Sequence, residues 1–191
     1  GARGLFTVSA DGSAKPEQLF LHPEWWVNTF SPHPGGAGVL LSTQKADGHD
    51  LLLVRGGGGD PEPFLATTAN EQQPMFSPDG RVVAYVSDES GRYQVYLRPF
   101  PGPGRKRQVS VVDGIDPRWR RDGKELFFFE GVRLMAVAVE PGPEPRVSKP
   151  VPLFEVSPEA LALGYDVTPD GQRFVMMKPG AAADAPLQLA D

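Results

Sequence analysis

Short apolar runs separated by polar turns recur along the whole chain. The clearest stretch is Gln73 to Leu97. Met75-Phe76 ends one strand, Val82 to Val86 forms a second, and Gln94 to Leu97 a third. Ser77-Pro78-Asp79-Gly80 reads as a tight turn: Ser bonds back to the backbone, Pro pre-sets φ, Asp suits the third position and Gly closes it. Asp88-Glu89-Ser90-Gly91 is a second polar turn ending in Gly. The middle strand, Val-Val-Ala-Tyr-Val, is apolar on both faces, which predicts a small sheet covered from both sides. Arg107 to Val111 alternates, as an outer strand does.

The unit repeats in both directions. Before it, Trp25 to Phe30, Val39 to Leu41, Leu51 to Val54 and Phe64-Leu65 read as four strands. There, Ser31 to Gly36 stands where Ser77 to Gly80 stands later. After it come Pro117 to Trp119, Leu126 to Phe129, Leu134 to Val139 and Val151 to Phe154, with Arg120-Arg121-Asp122-Gly123 as the turn. Leu5 to Val8 with Glu17 to Leu21, and Tyr165 to Val167 with Phe174 to Met177, are partial units, and Leu187 to Leu189 suggests a further strand. The turn glycines Gly36, Gly80, Gly123 and Gly171 are spaced by 44, 43 and 48 residues. A period in the forties with four strands per unit marks a β-propeller blade. The predicted fold is all-β, a single propeller domain over 1–191 built of four-stranded antiparallel blades. Complete blades are expected at about 25–65, 73–111 and 116–154, and partial ones at 5–21 and 165–189. Helical periodicity is absent, and only Leu161 to Leu163 suggests a turn of helix.

The units Gln73 to Arg81 and Tyr165 to Gly171 resemble the Ser-Pro-Asp-Gly repeat of TolB-like β-propellers. The run Tyr93-Gln94-Val95-Tyr96-Leu97-Arg98-Pro99-Phe100-Pro101 is similar to the propeller at the carboxyl end of many bacterial Ser/Thr protein kinases. Asp116 to Trp119 with Asp122 to Leu126 is similar too. The chain departs from the repeat at Ser31 to Gly36, which lacks Asp, and at Arg120-Arg121, which replace Ser-Pro. The resemblance implies six blades, so this chain is either an arc of a six-bladed ring or a four-bladed ring whose partial blades complete each other. An open arc exposes blade edges and is expected to self-associate.

Composition narrows the function. The net charge of −5 and a pI near 5.2 argue against a nucleic-acid surface. The 22 Gly and 21 Pro punctuate turns, since apolar content is normal. Cysteine is absent, which excludes disulfides and thiolate chemistry. No apolar run approaches the roughly 20 residues of a membrane span, so direct membrane insertion is not expected. The chain starts at Gly1 without Met or a signal peptide, which reads as a cut edge.

Candidate chemistry is sparse. His22, His33 and His49 lack metal-ligand spacing and read as exposed turn residues. Asp79, Asp122 and Asp170 read as turn residues rather than calcium ligands. No Gly-x-Ser-x-Gly elbow exists, and Gly56 to Gly59 has no following Lys-Ser/Thr. Arg105-Lys106-Arg107 reads as a solvated turn. Neither a metal nor a cofactor is expected. The candidate surface is the mouth of the central channel, with Trp25, Trp26, Asn70, Glu71, Asp116 and Arg118. Arg118 and Arg120 flank Trp119 on its opposite face. The expected function is a non-catalytic binding, sensor or protein-interaction module that is not itself an enzyme and takes a protein or peptide partner. The resemblance implies an extracytoplasmic place and a position in a membrane-anchored kinase. The alternative is the propeller gate of a prolyl-oligopeptidase-type serine peptidase, its hydrolase domain lying outside this chain.

Overall fold

A computed structural model describes residues 3–22, 25–45, 48–102, 104–140, 142, 144–162, 164–177 and 188–189. Its architecture follows the alternation of short strands and glycine turns. The first sheet pairs β1 (Arg3–Thr7) with β2 (Glu17–His22). The second is a four-stranded meander of β3 (Trp26–Pro32), β4 (Gly38–Lys45), β5 (Gly48–Arg55) and β6 (Glu62–Leu65). The third repeats it with β7 (Glu71–Phe76), β8 (Val82–Ser87), β9 (Gln94–Pro99) and β10 (Arg107–Gln108).

The fourth sheet begins with β11 (Ile115–Trp119), β12 (Glu125–Glu130) and β13 (Arg133–Glu140). A two-residue strand, β14 (Arg146–Val147), pairs with the far end of β13, and β15 (Val151–Glu155) takes the outer place beside it. One helical turn, α1 (Pro158–Leu161), follows. Ser157 caps it, its Oγ accepting the Ala160 N–H at 3.3 Å, and Pro158 stands in its first turn, where no N–H is missed. The last sheet pairs β16 (Tyr165–Val167) with β17 (Phe174–Met176), and β18 (Gln188–Leu189) lies on the outer edge of β15. All pairings are antiparallel.

The strands β3, β7, β11 and β16 pack along one another, so they form the inner rank of a fan of blades. Four apolar layers separate the five sheets. Leu19, Phe20, Leu41 and Val54 fill the first, and Leu40, Leu51, Leu53, Phe76 and Tyr85 the second. Val86, Val95, Leu97, Trp119, Leu126 and Phe128 fill the third; Phe127, Phe129, Leu134 and Tyr165 fill the fourth. Every residue of β8 is buried, as its two-faced apolar sequence predicts. Three full blades stand between two half-blades, the expected propeller arrangement. Among the described residues the two half-blades share no strand ladder, so the fan is open.

One face carries the glycine turns. Gly36, Gly80, Gly123 and Gly171 have φ of 75°, 72°, 70° and 71°, each in the left-handed region that favours glycine. In the second full blade, Ser77 Oγ donates to Asp79 Oδ1 at 2.6 Å and accepts the Val82 N–H at 3.0 Å. The first full blade differs from the sequence expectation. Its β3 runs on through Pro32, and the turn opens at His33, whose carbonyl accepts the Gly36 N–H at 2.9 Å.

Nor is His33 an exposed turn residue. Its Nδ1 accepts the Gly35 N–H at 2.9 Å, so the ring proton sits on Nε2, which donates to the Gly80 carbonyl at 3.2 Å. The ring packs against Phe76 and Phe100, with centroids at 4.9 and 5.3 Å. The other two histidines are half-buried as well. His22 stacks on Trp25 at 4.1 Å, and the His49 N–H donates to Asn70 Oδ1 at 3.2 Å. Each closes a seam between neighbouring strands or blades rather than facing solvent.

Candidate functional site

The inner strands are not regular. Between Gln72 and Met75 the register of β7 against β8 slips, and between Ile115 and Arg118 the register of β11 against β12 slips in the same way. Each bulge holds a non-glycine residue at positive φ, Gln73 and Asp116, both at 52°. Each is followed by a proline, and the two stand 43 residues apart, one blade period. A left-handed conformation at such residues costs about 1–3 kcal/mol and persists only where surrounding contacts impose it.

Those contacts are present. Gln73 Nε2 donates to Asp116 Oδ1 at 2.7 Å, and the Asp116 N–H donates to Gln73 Oε1 at 2.9 Å. The Tyr165 hydroxyl donates to the Asp116 carbonyl at 3.0 Å. Nearby, the Trp119 Nε1–H donates to the Met75 carbonyl at 3.2 Å, and the Phe76 N–H to Ser31 Oγ at 3.0 Å. The inner rank is therefore stitched from blade to blade by side chains, and bulges aim those side chains across the seam.

Arg118 lies two residues past Asp116 and points away from Trp119, toward the last half-blade. Its guanidinium sits over the Tyr165 ring at 5.5 Å, and NH1 donates to the Pro117 carbonyl at 2.9 Å. Among the described residues it has no carboxylate within ion-pair distance. Burial raises the Asp116 carboxyl above the usual carboxylate range, and the Arg118 charge opposes that. Burial likewise pushes the Tyr165 hydroxyl far up, so it stays a donor. An open cleft of about 320 Å³ lies beside this group, lined by Arg118, Gly164, Tyr165, Asp166, Val175, Met176 and Met177. A fixed guanidinium lining such a cleft can hold an anion.

The remaining sequence candidates fall elsewhere. Glu71 is 1 % exposed and offers no surface. Its carboxylate accepts from the Thr67 hydroxyl and, at 3.4 Å, from the Thr67 N–H. Burial raises its pKa despite those bonds, and the charges of Asp50 and Glu89 push the same way. Asn70 is a seam residue: its Nδ2 and N–H both donate to Asp88, at 2.6 and 2.8 Å, while its Oδ1 accepts from His49. Those bonds hold the Asp88 carboxyl below its ordinary range. Trp25 packs with Phe20 and His22 against the first half-blade, and Trp26 is 54 % exposed. The structure thus brings Asp116 and Arg118 together and sets Trp25, Asn70 and Glu71 apart from them. Gln73 and Tyr165 complete the group from the inner strands on either side of β11; the sequence signal for Gln73 was the residue-Pro step it shares with Asp116 one blade period later, and Tyr165 had none beyond its place on an inner strand. Among the described residues no three His, Asp or Glu side chains are placed to hold a metal ion.

No protein-family model matches the chain. The Tol-Pal system protein TolB of Coxiella burnetii is 34 % identical over 75 residues, 39 % of this chain and 17 % of that protein. The protein of the same name from Alcanivorax borkumensis is 34 % identical over 89 residues, 45 % of this chain and 18 % of its own length. Each match thus spans less than a fifth of the curated relative. The crystal structure of TolB from Acinetobacter baumannii superposes with a TM-score of 0.62 at 16 % identity, covering 86 % of this chain and 40 % of that one.

The fold is that of a TolB-like β-propeller. Enzymes share it. An oligogalacturonate lyase solved with manganese matches 97 % of this chain and 56 % of its own, with a TM-score of 0.67 and 16 % identity. A periplasmic gluconolactonase of Pseudomonas aeruginosa matches 92 % of this chain and 56 % of its own, at 0.57 and 20 %. These likenesses overturn the expectation that the chain is no enzyme. That expectation rested on missing sequence motifs, and a single fold carries many unrelated functions.

Proposed function

We propose that the chain is the binding arc of a TolB-like propeller and that its inner-strand rim receives a protein partner. The observation that carries this reading is the pair of bulges at Gln73 and Asp116. Two non-glycine residues are held at φ of 52° and locked to each other across a blade seam. Rigid, over-determined geometry at the channel-facing strands suits a surface prepared for a ligand. The Tol-Pal system named for the curated relatives supports a protein partner, and the periplasmic gluconolactonase supports an extracytoplasmic place. No described helix is long and apolar enough to cross a membrane. Blades at about 25–65, 73–111 and 116–154, with partial blades at 5–21 and 165–189, form one domain in this reading. The resemblance of Tyr93 to Pro101 supports a kinase as the parent chain.

The test is photocrosslinking in cells that make the protein. Benzoylphenylalanine replaces Trp26 or Gln72 on the inner rank, and Gln108 on the outer one. Discrete crosslinked bands from the first two positions and none from the third are expected. Equal crosslinking from all three, or none from the rim, would overturn the reading.

A further inference from the structure

We propose that the cleft beside Arg118 is a binding site for a peptide carboxylate. The proposal rests on the reading that the inner-strand rim takes a protein partner. Its starting point is the state of Arg118. Among the described residues Arg55, Arg120, Arg133 and Arg146 each lie within 4.0 Å of a carboxylate, and Lys106 bonds Glu89; others, such as Arg81, Arg92 and Arg98, do not, but Arg118 is the one cation lining the cleft. Arg118 has no such pair either, and it is half-buried where it lines that cleft. A partly desolvated cation without an acid partner leaves its attraction for an anion unspent.

The guanidinium is also oriented. The guanidinium carbon sits over the Tyr165 ring at 5.5 Å, and the Pro117 carbonyl takes one N–H of NH1. Tyr165 cannot swing away, because its hydroxyl is tied to the Asp116 carbonyl, and Asp116 is tied to Gln73. A planar fork fixed this way favours the two-point geometry of a carboxylate over a point contact. Asp116 stands close enough to feel the Arg118 charge, but its Oδ1 is already engaged by Gln73.

The rest of the lining describes the body of the ligand. Val175 and Met177 are mostly exposed, and with Met176 they give an apolar wall. Asp166 is exposed on the cleft and uses Oδ1 for the Val167 N–H, so it disfavours a second negative charge and accepts from a donor. One carboxylate, flanking apolar groups and backbone N–H donors describe an extended peptide with a single acidic group. An acidic side chain and a free C-terminus share that chemistry.

Isotope-labelled chain is titrated with three peptides while the Arg118 Nε–H and Tyr165 ring resonances are followed. Acetyl-Thr-Val-Glu-Val-Thr-amide offers a side-chain carboxylate. Acetyl-Thr-Val-Gln-Val-Thr with a free C-terminus offers a terminal one, and its amide offers none. Saturable shifts from one or both charged peptides, and none from the neutral one, are expected; which charged peptide binds identifies the source. Arg118→Gln should weaken binding by about tenfold or more, and Arg118→Lys by less, since charge survives without the fork. If the Gln variant loses its dispersed spectrum, the Lys variant is read instead, with a loss of about threefold or more required. Equal binding of the neutral peptide, unchanged affinity in the variant read, or no shift with any peptide would overturn the proposal. Rim crosslinking that persists while these peptides leave Arg118 unmoved would refute the carboxylate site alone and leave the wider reading standing.

Discussion

Gly80 is required twice over. Its φ of 72° is strained for any L side chain, and a Cβ there would lie 2.7 Å from His33 Cε1 in the neighbouring blade. Gly12 shares the backbone conformation, at 70°, but a Cβ there meets nothing within 4 Å. Gly80→Val should therefore lower stability by roughly 2 kcal/mol or more, and Gly12→Ala by about 1 kcal/mol. Chemical denaturation of the two variants measures the gap, and equal losses would show that His33 yields freely. The turn at Gly80 was legible from Ser-Pro-Asp-Gly. The part played by His33 was not, because its partners Phe76, Gly80 and Phe100 come from the next blade. Glu71 was misplaced for a related reason: a charged residue before an inner strand reads as surface, and only the stacking of two sheets shows that it is covered. Its buried carboxyl carries a pH signature. Below its ordinary value of 4.5 it is protonated in the folded and unfolded chain alike. Above that, the folded chain holds a proton the unfolded chain has released, so stability falls as pH climbs toward the raised value. Glu71→Gln should melt higher than the native chain at pH 8 and lose that advantage by pH 4. A gain that does not change with pH would mean that Glu71 is not held protonated.

At the scale of elements, strands were easier to read than their neighbours. The apolar runs and glycine turns located β3 to β5, β7 to β9 and β11 to β13 within a few residues. The two-residue strand β14 had no comparable signal; the start of α1 did carry one, Ser157 followed by Pro158, but four residues are too short to show a helical period. Bulges were hidden as well. Nothing in Gln-Gln-Pro or Ile-Asp-Pro announces positive φ, yet these steps aim Gln73 and Asp116 at each other. The strand β12 tests the two-sided core directly. Phe128 is fully buried and faces the blade before it, while Phe127 and Phe129 face the half-blade after it. Phe128→Ala should cost about 3–5 kcal/mol, and Val151→Ala, on the exposed outer strand of the same sheet, about 0.5 kcal/mol or less. Denaturant midpoints decide it; similar losses would mean that the third layer repacks around the cavity.

At the scale of the molecule, both ends of the fan leave apolar surface uncovered. Phe6 and Phe30 are exposed at one end of the fan, Val175 and Met177 at the other. The edges of β1 and β17 carry unpaired backbone groups among the described residues. Light scattering on the purified 191-residue chain should show a mass that rises with concentration, and Phe30→Lys together with Val175→Lys should lower it. A constant monomer mass would mean that the ends cover each other in solution.

The glycine-turn face carries one more consequence, for anyone who would cut and rejoin such chains. Gly80 rests on His33, Gly123 on Pro78 and Gly171 on Arg120. Each seam is thus a matched pair of residues taken from two successive units. Blades of this propeller are not interchangeable parts. A chimera that follows the blade of β3 to β6 directly with that of β11 to β15 would set His33 against Gly123, a glycine shaped beside proline. The transferable module runs from the turn of one blade to the turn of the next, with its boundary through the middle of a sheet.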